Sequence, residues 1–177
     1  MPGGNTHDAI TFFLIVPTFA AGYALTLDPA ISTTVTAGML VGGLMFGPDL
    51  DIQSKQHSRW GILRFLWGPY KAVFKHRSRW SHGLIFGTLF RVVYLLGMLT
   101  LTGFLMLYVY AAFAGGDLPN LLQLTQVWTP VGNFVREHAG DYLMPSIFVG
   151  LWLGAASHTF TDMAGTFIKT GKITEFL

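Results

Sequence analysis

From Ala9 to Leu27 the chain carries no Asp, Glu, Lys, Arg or His. A run of roughly 20 apolar residues is long enough to cross the hydrocarbon core of a bilayer as an α-helix. Residues 29–48, 83–113 and 142–162 are the other stretches of spanning length: 29–48 is uncharged, 83–113 contains Arg91 but opens a charge-free run from Val92 to Gly116, and 142–162 has no Asp, Glu, Lys or Arg before Asp162. Composition points the same way. Only 11% of the residues are charged and 51% are hydrophobic, against about 25% charged in a soluble domain. Too few charges are available to cover a soluble surface. The expected fold is therefore all-α: an integral membrane four-helix bundle forming one domain over residues 1–177. Asp28-Pro29 reads as a tight turn that makes the first two spans a hairpin. The residues before Ala9 include Asp8 but no Lys or Arg, so the positive region of a cleaved signal peptide is missing and the first span is expected in the mature protein.

Charge asymmetry orients the spans. Seven of the eleven Lys and Arg residues lie in the loop 52–82, and positive loops stay in the cytoplasm. Four spans then place both termini there. The opposite loop, 114–141, has Arg136 against Asp117, Glu137 and Asp141. Within the basic loop, Trp60–Phe74 mixes Trp, Phe and Leu with Arg64 and Lys71, which predicts an amphipathic segment on the membrane surface, broken near Gly68-Pro69. Leu121–His138 predicts a short helix with a break at Pro130.

On this topology most ionisable residues fall at one face. His7 and Asp8 precede the first span. Asp49 and Asp51 follow the second in "GPDLD". His76 and His82 bracket "HRSRWSH" before the third, and His158 and Asp162 close the fourth in "HTFTD". His158 and Asp162 share a helix face through i, i+4 spacing. Asp49 and Asp51, two apart beside a proline, point to one side of an extended or turn segment. Asp49, Asp51 and Asp162 at helix C-termini add to the negative end of the dipole, at about 0.3–1 kcal/mol each. A divalent cation would offset that charge. With no cysteine in the chain, disulfides and thiolate ligands are excluded, and His and Asp donors suit Zn first, then Mn or Fe.

Plainer readings compete. The acidic residues could be interfacial ion pairs with the basic loop. Arg91 reads as a snorkelling residue at the interface before it reads as a phosphate binder. Gly38, Gly42, Gly43 and Gly47 read as close helix packing. His57 lies further along the loop, and His138 on the far side takes no functional role.

The ordered motifs "THD", "GPDLD", "HRSRWSHG" and "GAASHTFTD" resemble a cyanobacterial family of metal-binding integral membrane proteins. More distantly the chain is similar to the membrane-bound metal-dependent hydrolases, with their PD-x-D, HR…(S/T)HS and late H-x-x-x-D. The resemblance covers nearly the whole chain. It implies a metal site of His7, Asp49, Asp51, His76, His82, His158 and Asp162. In the hydrolases the second histidine precedes a serine; here Gly83 follows His82, so a role for that hydroxyl does not carry over.

The expected activity is hydrolysis of a phosphoester or acyl bond in a lipid-like substrate at the cytoplasmic interface. One or two metal ions would activate water, Asp51 and His82 would act as catalytic groups, and Arg77 and Arg79 would clamp an anionic head group. The alternative is a non-enzymatic subunit of a larger membrane complex, with a structural metal. A carrier is disfavoured, because no ionisable residue lies deep in a span. Membrane lipids, of a plasma or thylakoid membrane, are the expected partners; nucleic acid is not.

Overall fold

The computed structural model describes residues 3–74, 76, 78, 80–84 and 86–171, and over these residues the chain is all-helical. In chain order the α-helices are α1 (Gly4–Phe13), α2 (Ile15–Thr26), α3 (Pro29–Leu44), α4 (Lys55–Ser58), α5 (Gly68–Val73), α6 (Phe86–Ala114), α7 (Leu121–Gln126), α8 (Trp128–Ala139) and α9 (Leu143–Thr170). Pro48–Asp51 and Gly61–Trp67 are 3₁₀ segments. Two compact units form. One runs to Arg91 and resumes at Tyr142; the other is 92–141.

Among the described residues, three helical stretches are long and apolar enough to cross a membrane: Gly4–Thr26, Phe86–Ala114 and Leu143–Thr170. The second expected span is shorter. Its helix, α3, has 16 residues, about 24 Å at 1.5 Å per residue, so it falls short of a hydrocarbon core of about 30 Å. The chain leaves the helix at Met45 because Gly47-Pro48 opens a new turn, and Pro48 takes the first position of the 3₁₀ segment, where its missing N–H is not needed. The α2–α3 turn matches the Asp28-Pro29 expectation. Leu27 adopts the left-handed conformation, and the Asp28 carboxylate caps α3 by accepting from the Ala30 and Ile31 N–H groups.

In the first unit α3 packs most extensively against α9, and glycines make the approach. A Cβ on Gly42 would lie 2.4 Å from the Leu151 carbonyl oxygen, and one on Gly154 would lie 2.1 Å from that of Met39. Backbone therefore sits on backbone, which sets the register between α9, which carries His158 and Asp162, and α3, which leads into the turn that carries Asp49 and Asp51.

The basic loop is tied down by aromatics. Trp67 meets Phe46, Trp60 and Tyr70 edge-on, with ring centroids 5.5, 5.1 and 5.5 Å away, and Trp60 Nε1 donates to the Met45 carbonyl. Ile62, Leu63, Phe65 and Val73 stay exposed on the same segment, the pattern of an interfacial piece. As expected, the segment divides at Gly68-Pro69: the 3₁₀ segment ends at Trp67 and α5 starts at Gly68. In the second unit, the helix break lies at Val127, not at Pro130. The proline occupies the first turn of α8, where no intrahelical N–H bond is lost.

Candidate metal centre

Each site residue is delivered by a different local device. The α1 helix begins at Gly4, so His7 and Asp8 lie in its first two turns and not ahead of it. Asp49 and Asp51 sit on the 3₁₀ turn after α3. The α9 helix runs on to Thr170, about two turns past Asp162. The expected dipole penalty at Asp162 is therefore absent, because that effect is confined to the last turn. Burial poses the larger problem. Asp51, Asp162, His7, His82 and His158 are all buried, and a buried carboxylate is stable only when paired.

The pairing is mutual. His7 Nε2 lies 3.2 Å from Asp162 Oδ1, and its ring stacks on that of His158 at 3.7 Å. His158 Nε2 faces Asp49 Oδ2 at 3.4 Å and Asp162 Oδ2 at 3.5 Å. His82 Nε2 faces the other Asp49 oxygen, Oδ1, at 3.6 Å. Asp51 approaches from the opposite side: its Oδ1 is 2.9 Å from His76 Nδ1 and its Oδ2 is 3.6 Å from His82 Nδ1. The two aspartates thus address different edges of His82, Asp49 the Nε2 edge and Asp51 the Nδ1 edge. Burial of Asp49 opposes its ionisation, yet the facing imidazoles of His158 and His82 hold its carboxyl well below the usual carboxylate range.

These groups could hold metal. His7, His158 and Asp162 present donor atoms within 4.8 Å of one another, and so do Asp49, His76 and His82. Buried His7 Nδ1, His82 Nε2, His158 Nε2 and Asp51 Oδ2 have no hydrogen-bond partner among the described residues. Burying such atoms unpaired costs about 1–3 kcal/mol each, and a cation on the Nε2 atoms would remove part of that cost.

Other expectations resolve differently. Asp8 belongs to a separate network. Its carboxylate takes a two-pronged bond from Arg59, at 2.8 and 2.6 Å, and one from Lys55 at 2.7 Å. Arg59 also donates to the Leu44 carbonyl, so Asp8 ties α1 to the end of α3. Arg91 does not snorkel. It is 1% exposed, and its guanidinium donates to the Ser81 carbonyl at 2.6 Å and to Thr88 at 3.1 Å. It braces the residue before His82, while Ser81 Oγ contacts His82 Nδ1 at 3.0 Å. Arg77 and Arg79 lie outside the described residues.

Gln56 is a participant that sequence reasoning missed. It accepts from the Asp49 N–H and donates to the Gly43 carbonyl, and its Nε2 lies 3.2 Å from His158 Nδ1. The two backbone partners fix which way the amide points, so Nε2–H donates to Nδ1 and the neutral His158 ring carries its proton on Nε2. To act as a ligand through Nε2, the ring must move that proton to Nδ1 and give up the Gln56 contact. A cleft of about 350 Å³ reaches the cluster, lined by His7, Asp49 and His158 with Asn5, Lys55 and Gln56. That volume lies in the range of small-ligand sites, roughly 300–1,000 Å³.

An all-helical protein with membrane-length apolar helices and a buried His/Asp cluster is the class that fold and site define. A family described as "Uncharacterized metal-binding protein (DUF2227)" matches residues 2–172, and the chain belongs to that family. It is also 29% identical over 133 residues to an "Uncharacterized protein" of Aquifex aeolicus (strain VF5), covering 75% of this chain and 89% of that protein. No solved structure matches it.

Proposed function

We propose that this is an integral membrane metal-dependent hydrolase acting on a phosphoester or acyl bond of a lipid-like substrate. One observation carries the reading: buried imidazole Nε2 atoms without hydrogen-bond partners converge on Asp49 at the wall of a cleft. His7, Asp49, His76, His82, His158 and Asp162 would hold the metal, with Zn favoured over Mn or Fe for a nitrogen- and oxygen-donor set. When bound, such an ion supplies Lewis-acid activation of water and of the scissile bond. The chain's own residues do the rest. Asp51 bonds His76 Nδ1 and lies 3.6 Å behind the Nδ1 edge of His82, which Ser81 Oγ holds, so it acts as a positioning group and not at the reacting bond. His7, Asp49 and His158 line the cleft, and whichever of them is not engaged as a ligand takes up the proton released from water. Arg77 and Arg79 remain the proposed clamps for an anionic head group.

The site belongs at the cytoplasmic face, with both termini inside and α3 as a short fourth crossing whose backbone is shielded by α9. The exposed apolar residues of Gly61–Val73 fit a segment resting on lipid. A plasma or thylakoid membrane meets these requirements equally.

The test is turnover of chromogenic phosphate and carboxylate esters in mixed micelles by detergent-purified protein loaded with Zn, Mn or Fe. Chelator-sensitive turnover that His82→Ala abolishes supports the proposal. A metal-loaded protein inert towards both ester classes would sink it in favour of the second reading, a structural metal in an accessory subunit of a larger complex. Burial of the whole His7, His158 and Asp162 group favours that second reading, since structural sites are closed.

A further inference from the structure

We propose that Asp49 is a bridging carboxylate that joins two metal ions, one held by His7, His158 and Asp162 and the other by His76 and His82. The inference rests on the cluster being a metal site and is independent of whether the protein is an enzyme.

Three observations carry it. First, the donors fall into two trios, His7 with His158 and Asp162, and Asp49 with His76 and His82. Six donors exceed the four that a tetrahedral ion takes. Second, Asp49 divides its oxygens between the trios. Oδ2 lies 3.4 Å from His158 Nε2, and Oδ1 lies 3.6 Å from His82 Nε2. A carboxylate serving one ion would not need an imidazole edge against each oxygen. Third, those two Nε2 atoms are themselves unpartnered, on residues 4% and 2% exposed. Each trio therefore has an imidazole nitrogen facing Asp49 without a hydrogen bond, that of His158 becoming a ligand once its proton moves to Nδ1, and Asp49 stands between them.

Charge sets what else the site would take. Asp49, Asp51 and Asp162 each face histidines, and the buried Arg91 guanidinium attracts Asp51 and Asp49. With the histidines neutral, as ligands must be, three carboxylates and Arg91 leave a partly buried charge of about −2. One divalent ion balances it, and two leave about two positive charges, which anionic groups entering the cleft beside Asp49 would offset. The trios are also unequal. His7, His158 and Asp162 are all buried, whereas His76 is exposed and Asp49 partly so. His7 and His158, though buried, line the cleft, so the first ion would be reached through it and the second past His76.

Detergent-purified protein is stripped with chelator and titrated with Mn(II), and bound metal is read by elemental analysis and by electron paramagnetic resonance. The inference expects about two ions per chain at saturation and an exchange-coupled spectrum in the unaltered protein. Asp49→Ala should lose the coupling, and His7→Ala and His82→Ala should each keep about one ion. The wild-type spectrum needs no variant to fold, so the test survives an unstable mutant. One ion per chain, or two with an uncoupled six-line spectrum, overturns the bridge while leaving the metal site standing. No ion bound, with Zn(II) as with Mn(II), overturns both. Ester turnover is read separately, so failure of the hydrolase reading does not bear on the bridge.

Discussion

Replacing Gly154 by alanine should disable the centre without touching a ligand. The added Cβ would lie 2.1 Å from the Met39 carbonyl oxygen and 2.4 Å from the Gly43 nitrogen. Both are backbone atoms of α3, so no side chain can swing away. Ordinary contact begins near 3.4 Å, which requires α3 and α9 to part by about 1.3 Å at this level, the difference between 3.4 and 2.1. His158 lies one turn beyond Gly154 on α9, and α3 leads into the turn that carries Asp49. The 3.4 Å approach of Asp49 to His158 would widen with the helices. Metal–ligand distances tolerate only about ±0.2 Å. Overpacking of this kind costs about 1–3 kcal/mol, or a midpoint lower by roughly 3–10 °C for a chain of this size. Metal affinity should fall at least about tenfold, the scale seen when the surroundings of a ligand are disturbed. Thermal unfolding in detergent and metal titration check both effects. Gly97→Ala in α6 is the control. Its Cβ meets nothing within 4 Å, so it should be neutral or up to about 1 kcal/mol stabilising. If Gly154→Ala keeps the wild-type midpoint and metal affinity, backbone contact does not set the register of the site.

Asp51→Asn should leave the number of bound ions unchanged at saturating metal but weaken affinity by about 10–100-fold, since it removes the charge behind His76 and His82; an unaltered titration would refute its positioning role. Arg91→Met removes the guanidinium donor from the buried Ser81 carbonyl and from Thr88, so the midpoint should fall by the equivalent of about 1–3 kcal/mol, and the His76/His82 trio should lose metal before the His7/His158 trio. Acid should destabilise the metal-free protein. The Asp49 pKa is lower folded than unfolded, so the unfolded chain binds more protons and stability falls as pH drops below about 4. Asp49→Asn should flatten that acid limb in unfolding scans from pH 7 to 3. Orientation can be read by cysteine labelling, because the native chain has no cysteine. Ser58→Cys should react from the cytoplasmic side only and Thr129→Cys from the other side only; the reverse pattern would invert the proposed topology.

The sequence by itself determines the helical, membrane-length character of this protein, because charge-free length is a local property that no partner alters. It also determines that His and Asp gather in a few short motifs beside the apolar stretches, and the PDLD and HTFTD spacings identify their faces, although α9 runs about two turns past Asp162. Two outcomes show where local information stops. Asp8 and Asp49 look alike as acids beside spans. Yet Asp8 is taken by Lys55 and Arg59, some fifty residues away, and Asp49 by histidines from two other segments. Arg91 looks like a snorkelling residue from its depth alone, but the loop before α6 folds back over it and offers the Ser81 carbonyl. Gln56 carries no signal in a single sequence, since its role depends on Gly43 and His158 meeting it in space. Whether Asp49 and Asp51 act alike was likewise open at the level of a two-residue spacing. Only the tertiary structure separates them. Glycine contacts set the register of α3 against α9, that register brings Asp49 to the Nε2 edges of His82 and His158, and the same turn leaves Asp51 behind the Nδ1 edges of His76 and His82.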